Sequence, residues 1–320
     1  MNFLYPKKII NFLFDEKISA YNRLKKSDYD NLIFQLTNFH KKKCKFYQKI
    51  IAFSDPSNKK IENLPPVPSR MFKFMDLLSI PKNQVFKTMY SSGTSGLESK
   101  IFLDRESSIR QIKALKKILL PIIGKKRLPM IIVDSLASLK NENHFNAKKA
   151  AISGFSVFGK DYLYLLNKHN QLNFQLFKHF IKKHKNEEIL IFGFTDKIYE
   201  IFLQNYDFKK INFSLSNCIL IHGGGWKKLE KTKVSNNTFK RKLYEIYNFK
   251  KIINYYGMIE QTGSIFFECE KCGAFRATCF SDIFVRDKEF MVKESGRGLL
   301  QLFSLLPSSY PGHNIITEDE

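Results

Sequence analysis

Three features of the sequence predict an α/β fold. Short, fully apolar runs alternate with segments of helical periodicity, as the strands and crossover helices of a parallel sheet do. Those runs are bounded by turn residues and carry apolar side chains at consecutive positions, which is the pattern of a sheet covered by helices on both faces. The chain of 320 residues, 43% hydrophobic, is long enough to bury a real core in one large domain or two small ones.

Charge and cysteine content narrow the setting. The net charge is +23, but the lysines are spread along the whole chain instead of gathered in one block, so the basic excess reads as a solvated surface and no nucleic-acid partner is expected. Residues Met1–Ile10 place Lys7 and Lys8 after an apolar patch, the reverse of a secretory leader. No run approaches the roughly eighteen apolar residues of a membrane span. Five cysteines, an odd number, fit reduced thiols and a cytoplasmic protein.

Residues 2–55 read as helices: Ile9, Ile10, Leu13 and Phe14, then Leu32, Ile33, Leu36 and Phe39, recur at three-and-four spacing between lysine-rich faces. Leu64-Pro65-Pro66-Val67-Pro68 breaks the helical pattern, since proline fixes φ and lacks a donor. The region 1–84 is thus expected as a helical unit packed on a core spanning 85–320.

That core opens on Val85–Tyr90, a strand leading into Ser91, Ser92, Gly93, Thr94, Ser95 and Gly96, with a second strand at Ile101–Leu103. Glycines 93 and 96 let the backbone approach a ligand, while N–H groups and hydroxyls can point at phosphate oxygens and Lys100 adds a positive charge. The spacing is not that of a Walker loop. Arg105–Leu120 is expected as a helix with Ile109, Ile112, Leu115 and Leu119 facing inward, and Met130–Asp134 as a buried strand ending in a carboxylate. Gln171–Lys185 reads as helix and Glu188–Gly193 as strand, with Thr195 as cap of a helix over Asp196–Tyr206.

Two further strands carry chemistry. Cys218–Ile221 runs into His222, Gly223, Gly224, Gly225 and Trp226; three adjacent glycines imply close approach of a flat ligand or of another backbone. Ile252–Asn254 delivers Tyr255, Tyr256 and Gly257, with Glu260 three residues beyond the glycine. Tyr256 suits stacking on a purine, and Glu260 suits Mg²⁺ beside ATP phosphates. The chain closes on Ser309-Tyr310-Pro311-Gly312-His313 and Thr317-Glu318-Asp319. Cys269-Glu270-Lys271-Cys272-Gly273 is half of a structural zinc site, with His313 one source of a further ligand; a redox pair and unrelated thiols are the other readings.

The order Ser-Ser-Gly-Thr-Ser-Gly, the glycine loop, Tyr-Gly-x-x-Glu and Thr-Glu-Asp resembles the adenylate-forming superfamily. Two departures are present: Lys100 comes four residues after Gly96, where most members have three, and Glu318 stands where they have glycine. Met71-Phe72-Lys73, Ser99-Lys100-Ile101, His222-Gly-Gly-Gly-Trp-Lys227, Tyr256-Gly-Met-Ile-Glu-Gln-Thr-Gly-Ser264 and Ser309-Tyr-Pro-Gly-His313 are similar to the LuxE-type acyl-protein synthetases. The resemblance implies the large N-terminal domain of such an enzyme, ATP and Mg²⁺ as cofactors, and a carboxylic acid, foremost a fatty acid, activated as acyl-AMP. An acyl-accepting protein thiol or a reductase is the implied partner. An acyl- or aryl-CoA ligase and a non-catalytic nucleotide-binding relative are the alternatives. It further implies that Ser91–Thr94 and Lys100 hold the β- and γ-phosphates and Glu260 the Mg²⁺. Gly223–Gly225, Tyr255 and Tyr256 would hold adenine and Asp319 the ribose, with His222 near the acyl carboxylate. As the chain ends just after the ribose motif, the family's small C-terminal domain is expected to be absent from it.

Overall fold

The computed structural model describes residues 5, 7–52, 60–91, 96–139, 145–205 and 214–319. Helices α1 (Lys7–Phe12), α2 (Lys26–Lys43) and α3 (Lys45–Ile51) come first, followed by strand β1 (Val67–Pro68) and the short α4 (Met71–Phe74). The hairpin β2 (Lys87–Tyr90) and β3 (Lys100–Leu103) leads into α5 (Arg105–Ile123), β4 (Leu128–Ser135), α6 (Ala147–Ser156), β5 (Gly159–Leu166), α7 (Phe174–Lys183) and β6 (Ile189–Phe194). Next are α8 (Thr195–Ile198), β7 (Cys218–Gly223), α9 (Asn236–Tyr247), β8 (Lys251–Tyr256), β9 (Phe266–Glu268) and β10 (Phe275–Arg276). Strands β11 (Ser281–Arg286), β12 (Val292–Lys293), β13 (Leu299–Ser304) and β14 (Asn314–Ile316) complete the described chain.

The main sheet has seven strands in the order β10-β9-β8-β7-β6-β4-β5. From β8 to β5 every pair is parallel, and β9 and β10 add an antiparallel edge. Alternation along the strands divides their side chains between two cores. Met130, Ile132, Leu190, Phe192, Ile219, Ile221 and Ile253 face one core, while Ile131, Val133, Ile189, Ile191, Leu220 and Ile252 face the other. This is why the strands read as unbroken apolar runs.

A second sheet has five strands, ordered β1-β14-β13-β11-β12. Strand β1 lies at its edge, where Pro68 costs no ladder bond on its outer side. The proline-rich break of the sequence thereby pairs, through Val67 and Ile315, with the far end of the chain. Asn314 Nδ2 donates to the Leu64 carbonyl at 3.3 Å, and Arg286 donates to the Glu62 carbonyl, tying the same two regions.

Three local expectations need correcting. On α5 the buried apolar residues are Ala114, Leu115, Ile118, Leu119 and Ile123, while Ile109 and Ile112 are 48% and 43% exposed; the helix turns Arg110 inward instead, to the Leu306 carbonyl at 2.8 Å. Thr195 is the first residue of α8 and makes no cap; its hydroxyl meets His222 Nδ1 at 3.0 Å. The helix after it becomes π-helical over Tyr199–Gln204. Helix α7 is shorter than its amphipathic pattern, because Asn173 caps it by accepting from the Leu176 N–H.

Candidate active site

Strands β6, β7 and β8 end side by side, with Phe194 opposite Gly223 and Gly223 opposite Tyr255. In open α/β sheets the crevice at the carboxyl ends of parallel strands is where ligands bind. The three glycines there stand in three different settings. A Cβ on Gly223 would stand 2.5 Å from Tyr255 Cε1 and 2.6 Å from the Tyr255 carbonyl oxygen, so the strand packing itself excludes a side chain. Gly224 has φ +80°, a left-handed turn that favours glycine, and a Cβ on Gly225 would meet nothing within 4 Å.

Beside this lip stands the β2–β3 hairpin. The Ser91 N–H donates to the Ser99 carbonyl at 3.1 Å and the Ser99 N–H donates to Ser91 Oγ at 2.9 Å, which closes the base of the small-residue loop. Gly96 is exposed with φ +95°, and Lys100 is exposed at the start of β3, paired with Tyr90. Ser92, Gly93, Thr94 and Ser95 lie outside the described residues.

Glu260 occupies the 3₁₀ turn Ile259–Gln261, which packs on β3, and is only 8% exposed. Burial holds its carboxyl above the ordinary glutamate range, with the Ser99 hydroxyl and Lys73 acting the other way. The Ser309–His313 segment braces this turn. Gln261 Nε2 donates to the Gly312 carbonyl at 3.0 Å, the Thr262 N–H donates to Tyr310 Oη at 3.1 Å, and a Cβ on Gly312 would lie 2.6 Å from the Glu260 carbonyl oxygen. Ser309 Oγ in turn donates to the Phe102 carbonyl at 2.8 Å, fixing the brace to β3. Three residues before Glu260, Gly257 makes the turn out of β8. Tyr256 is half-buried, and its hydroxyl donates to Asp319 Oδ2 at 2.6 Å, joining residues 63 apart in sequence.

Tyr255 and His222 point to opposite faces of the sheet. Tyr255 packs with Phe155 and Phe192 on the side of a cavity of about 340 Å³ that lies between α5, α6 and the β8 turn. Met89, Ile112, Leu115, Phe155 and Ile259 supply apolar walls, Ser108 and Gln111 polar ones, and Gly224 and Gly225 its lip. His222 belongs to the other face. Its ring lies 4.8 Å from that of Phe239, and burial holds its pKa down to about 3, so it is neutral there.

Sequence patterns missed Lys87 and Lys148, which line this cavity from separate segments together with Lys227, a residue marked only by its place in a motif. Lys73, within electrostatic reach of Glu260, had only its place in a motif to mark it. The Cys269 and Cys272 pair sits in the β9–β10 hairpin, where the Gly273 N–H donates to the Cys269 carbonyl at 2.9 Å. N–H groups of Cys272 and Lys271 bond the Cys269 thiol and lower its pKa. Among the described residues no group of three or more His, Cys, Asp or Glu is gathered as a metal site. His313 lies in the interior instead, stacked 4.8 Å from His40 and within 3.0 Å of Thr37 Oγ1. No described helix is long and apolar enough to cross a membrane.

A family model described as acyl-protein synthetase, LuxE, matches residues 7–320. Among solved structures, 2-hydroxyisobutyryl-CoA ligase in an open conformation with 2-HIB-AMP and CoA superposes with a TM-score of 0.65 at 13% identity, covering 92% of this chain and 65% of that one. The same ligase in its post-adenylation state with 2-HIB-AMP gives 0.65 at 14% identity, covering 93% and 64%. The chain thus spans a little under two thirds of those structures, and the likeness is one of fold. No curated protein matches in sequence.

Proposed function

Since the chain belongs to the LuxE acyl-protein synthetase family, we propose that it activates a carboxylic acid as acyl-AMP at the expense of ATP and hands the acyl group to a thiol. The observation that carries this reading is the Tyr256–Asp319 hydrogen bond. It sets an aromatic face suited to adenine beside a carboxylate suited to ribose hydroxyls, at the strand end whose next turn carries Glu260.

In the first step a carboxylate oxygen attacks the α-phosphorus of ATP. A new P–O bond forms as the bond to the leaving pyrophosphate breaks, and pyrophosphate departs with the electron pair. Negative charge is present throughout, so positioning and charge stabilisation dominate. Ser91, Ser92, Gly93, Thr94, Ser95, Gly96 and Lys100 would cradle the β- and γ-phosphates, and the backbone of Gly224 and Gly225 would flank the base. Glu260 fits Mg²⁺, a hard cation that takes one or two carboxylates and completes its shell with water and phosphate oxygens. Bound there, the ion would neutralise phosphate charge. Tyr255, turned to the cavity, would wall the acid; His222, on the opposite face, would act only by supporting β7. A thiol then loses its proton to solvent and attacks the acyl carbon as thiolate; the C–S bond forms as the acyl C–O bond to phosphate breaks, and AMP leaves with that electron pair. A protein thiol is the family's acceptor; coenzyme A is the second reading, favoured by the CoA held in the similar ligase. The region 1–84 is proposed to brace this core.

Exchange of labelled pyrophosphate into ATP, driven by a panel of acids, tests the first step. Glu260→Gln, which keeps the side chain's size, is expected to lower exchange by about a hundredfold or more while the protein stays folded. Exchange equal to wild type in that variant would remove Glu260 from the chemistry.

A further inference from the structure

Resting on that reading of the site, we propose that Lys87 selects acids bearing a second carboxylate at the end remote from the one activated, so that the substrate is a dicarboxylic acid.

Lys87 and Met89 are two residues apart on β2, and both line the cavity. Two other lysines line it, and each has a carboxylate of its own. Lys148 Nζ lies 2.6 Å from Asp134 Oδ2, and Lys227 Nζ lies 3.2 Å from Asp196 Oδ2. Lys87 meets no carboxylate at ion-pair distance among the described residues; its ammonium rests on the Phe145 ring, 3.1 Å from the centroid. A half-buried cation with only an aromatic face for company is partly desolvated without full compensation. Burial accordingly lowers its pKa to about 8, which still leaves it mainly charged at neutral pH.

Register sets where that charge stands. Tyr90 pairs with Lys100 beside the phosphate loop, and Lys87 pairs with Leu103 at the opposite end of the hairpin. Three residues of extended chain separate the two ends by about 10 Å. An acid with its reacting carboxylate toward the Tyr90–Lys100 end of the hairpin and its tail along the apolar walls of Met89, Ile112 and Leu115 would bring the tail's end toward Lys87. A methyl terminus would cover an ammonium and give it nothing, whereas a carboxylate forms a charge-assisted hydrogen bond.

The test compares straight-chain monocarboxylates with α,ω-dicarboxylates of the same lengths in pyrophosphate exchange, on wild type, Lys87→Met and Lys87→Arg, with binding of the same acids followed by calorimetry. Wild type is expected to favour diacids by about tenfold or more in kcat/KM. Lys87→Met should erase or invert that preference, and Lys87→Arg should keep it. A wild-type preference for monoacids, or a ratio unchanged in Lys87→Met, overturns the inference and leaves adenylation standing. If no acid supports exchange, adenylation falls, and calorimetry decides the rest: diacid binding weakened in Lys87→Met sustains the selection, and binding that is absent or insensitive to the substitution ends it.

Discussion

A single hydroxyl joins the two motifs that would hold the adenosine. Tyr256 donates to Asp319 at 2.6 Å, and with its oxygen as donor the tyrosine stays protonated at any working pH, because burial and the neighbouring carboxylate both raise its pKa. Tyr256→Phe keeps the ring for stacking and frees the carboxylate to turn away from the ribose. The expected result is a rise in KM for ATP of severalfold to tenfold with kcat for pyrophosphate exchange little changed, since a hydrogen bond to a charged group is worth about 1.5–3 kcal/mol when buried and less at an exposed site such as Asp319. An unchanged KM would mean that Asp319 is positioned by its own backbone, through Thr317 Oγ1 and Leu300, and not by the tyrosine. Glu260 and Tyr256 were legible in the sequence because strand, aromatic, glycine and carboxylate follow one another locally. Lys87 was not, because its surroundings come from β2, α5, α6 and the β8 turn, and only the fold brings these together.

The glycine loop after β7 shows how one run of identical residues serves separate purposes along an element. Gly223 is inside the sheet, and a methyl there would collide with the Tyr255 backbone as well as its ring. Gly225 faces open space at the lip of the cavity. Gly223→Ala should therefore cost stability, by about 1–3 kcal/mol as overpacking usually does, read as a lower urea midpoint. Gly225→Ala should leave the midpoint within about 0.5 kcal/mol of wild type and instead weaken ATP or acid binding, read by calorimetry. The reverse pattern, a stable Gly223→Ala and an unfolded Gly225→Ala, would show that the loop is anchored differently from its packing. The register puts His222 and Tyr255 on different sides, since Leu220 and His222 share one parity and pair across to Ile252 and Asn254. Which side carries the cavity depended on where α5 and α6 pack, and that is a long-range fact. The same limit applied to β1: two residues with a proline give no periodicity, and their partner lies at the other end of the chain.

At the scale of the molecule, the N-terminal helices, the five-stranded sheet and the brace behind Glu260 are held by buried neutral histidines. His40 Nδ1 lies 2.7 Å from Ser79 Oγ, His313 stacks on His40, and His222 sits under the glycine loop. Burial lowers the pKa of His40 and of His222 from the ordinary 6.5 to about 3, and that of His313 well below 6.5. The sign follows from proton counting. Below pH 6.5 the unfolded chain takes up protons that the folded chain refuses, so stability is whole above that pH and is lost as pH falls toward the folded values. One unit below 6.5, three such groups cost about 4 kcal/mol together, a large part of the roughly 5–15 kcal/mol that holds a domain folded. Glu260 works in the opposite sense, its raised pKa favouring the folded state at low pH, but it is one group against three. The net charge of +23 grows as carboxylates protonate, which pushes the same way as the histidines. The urea midpoint should accordingly drop steeply between about pH 7.5 and about pH 5.5. His222→Gln separates the two causes: it should shallow that slope by roughly a third if the buried imidazoles set it and leave it untouched if surface charge does. A midpoint flat across this range would mean that the buried histidines are reached by water or by protons without unfolding.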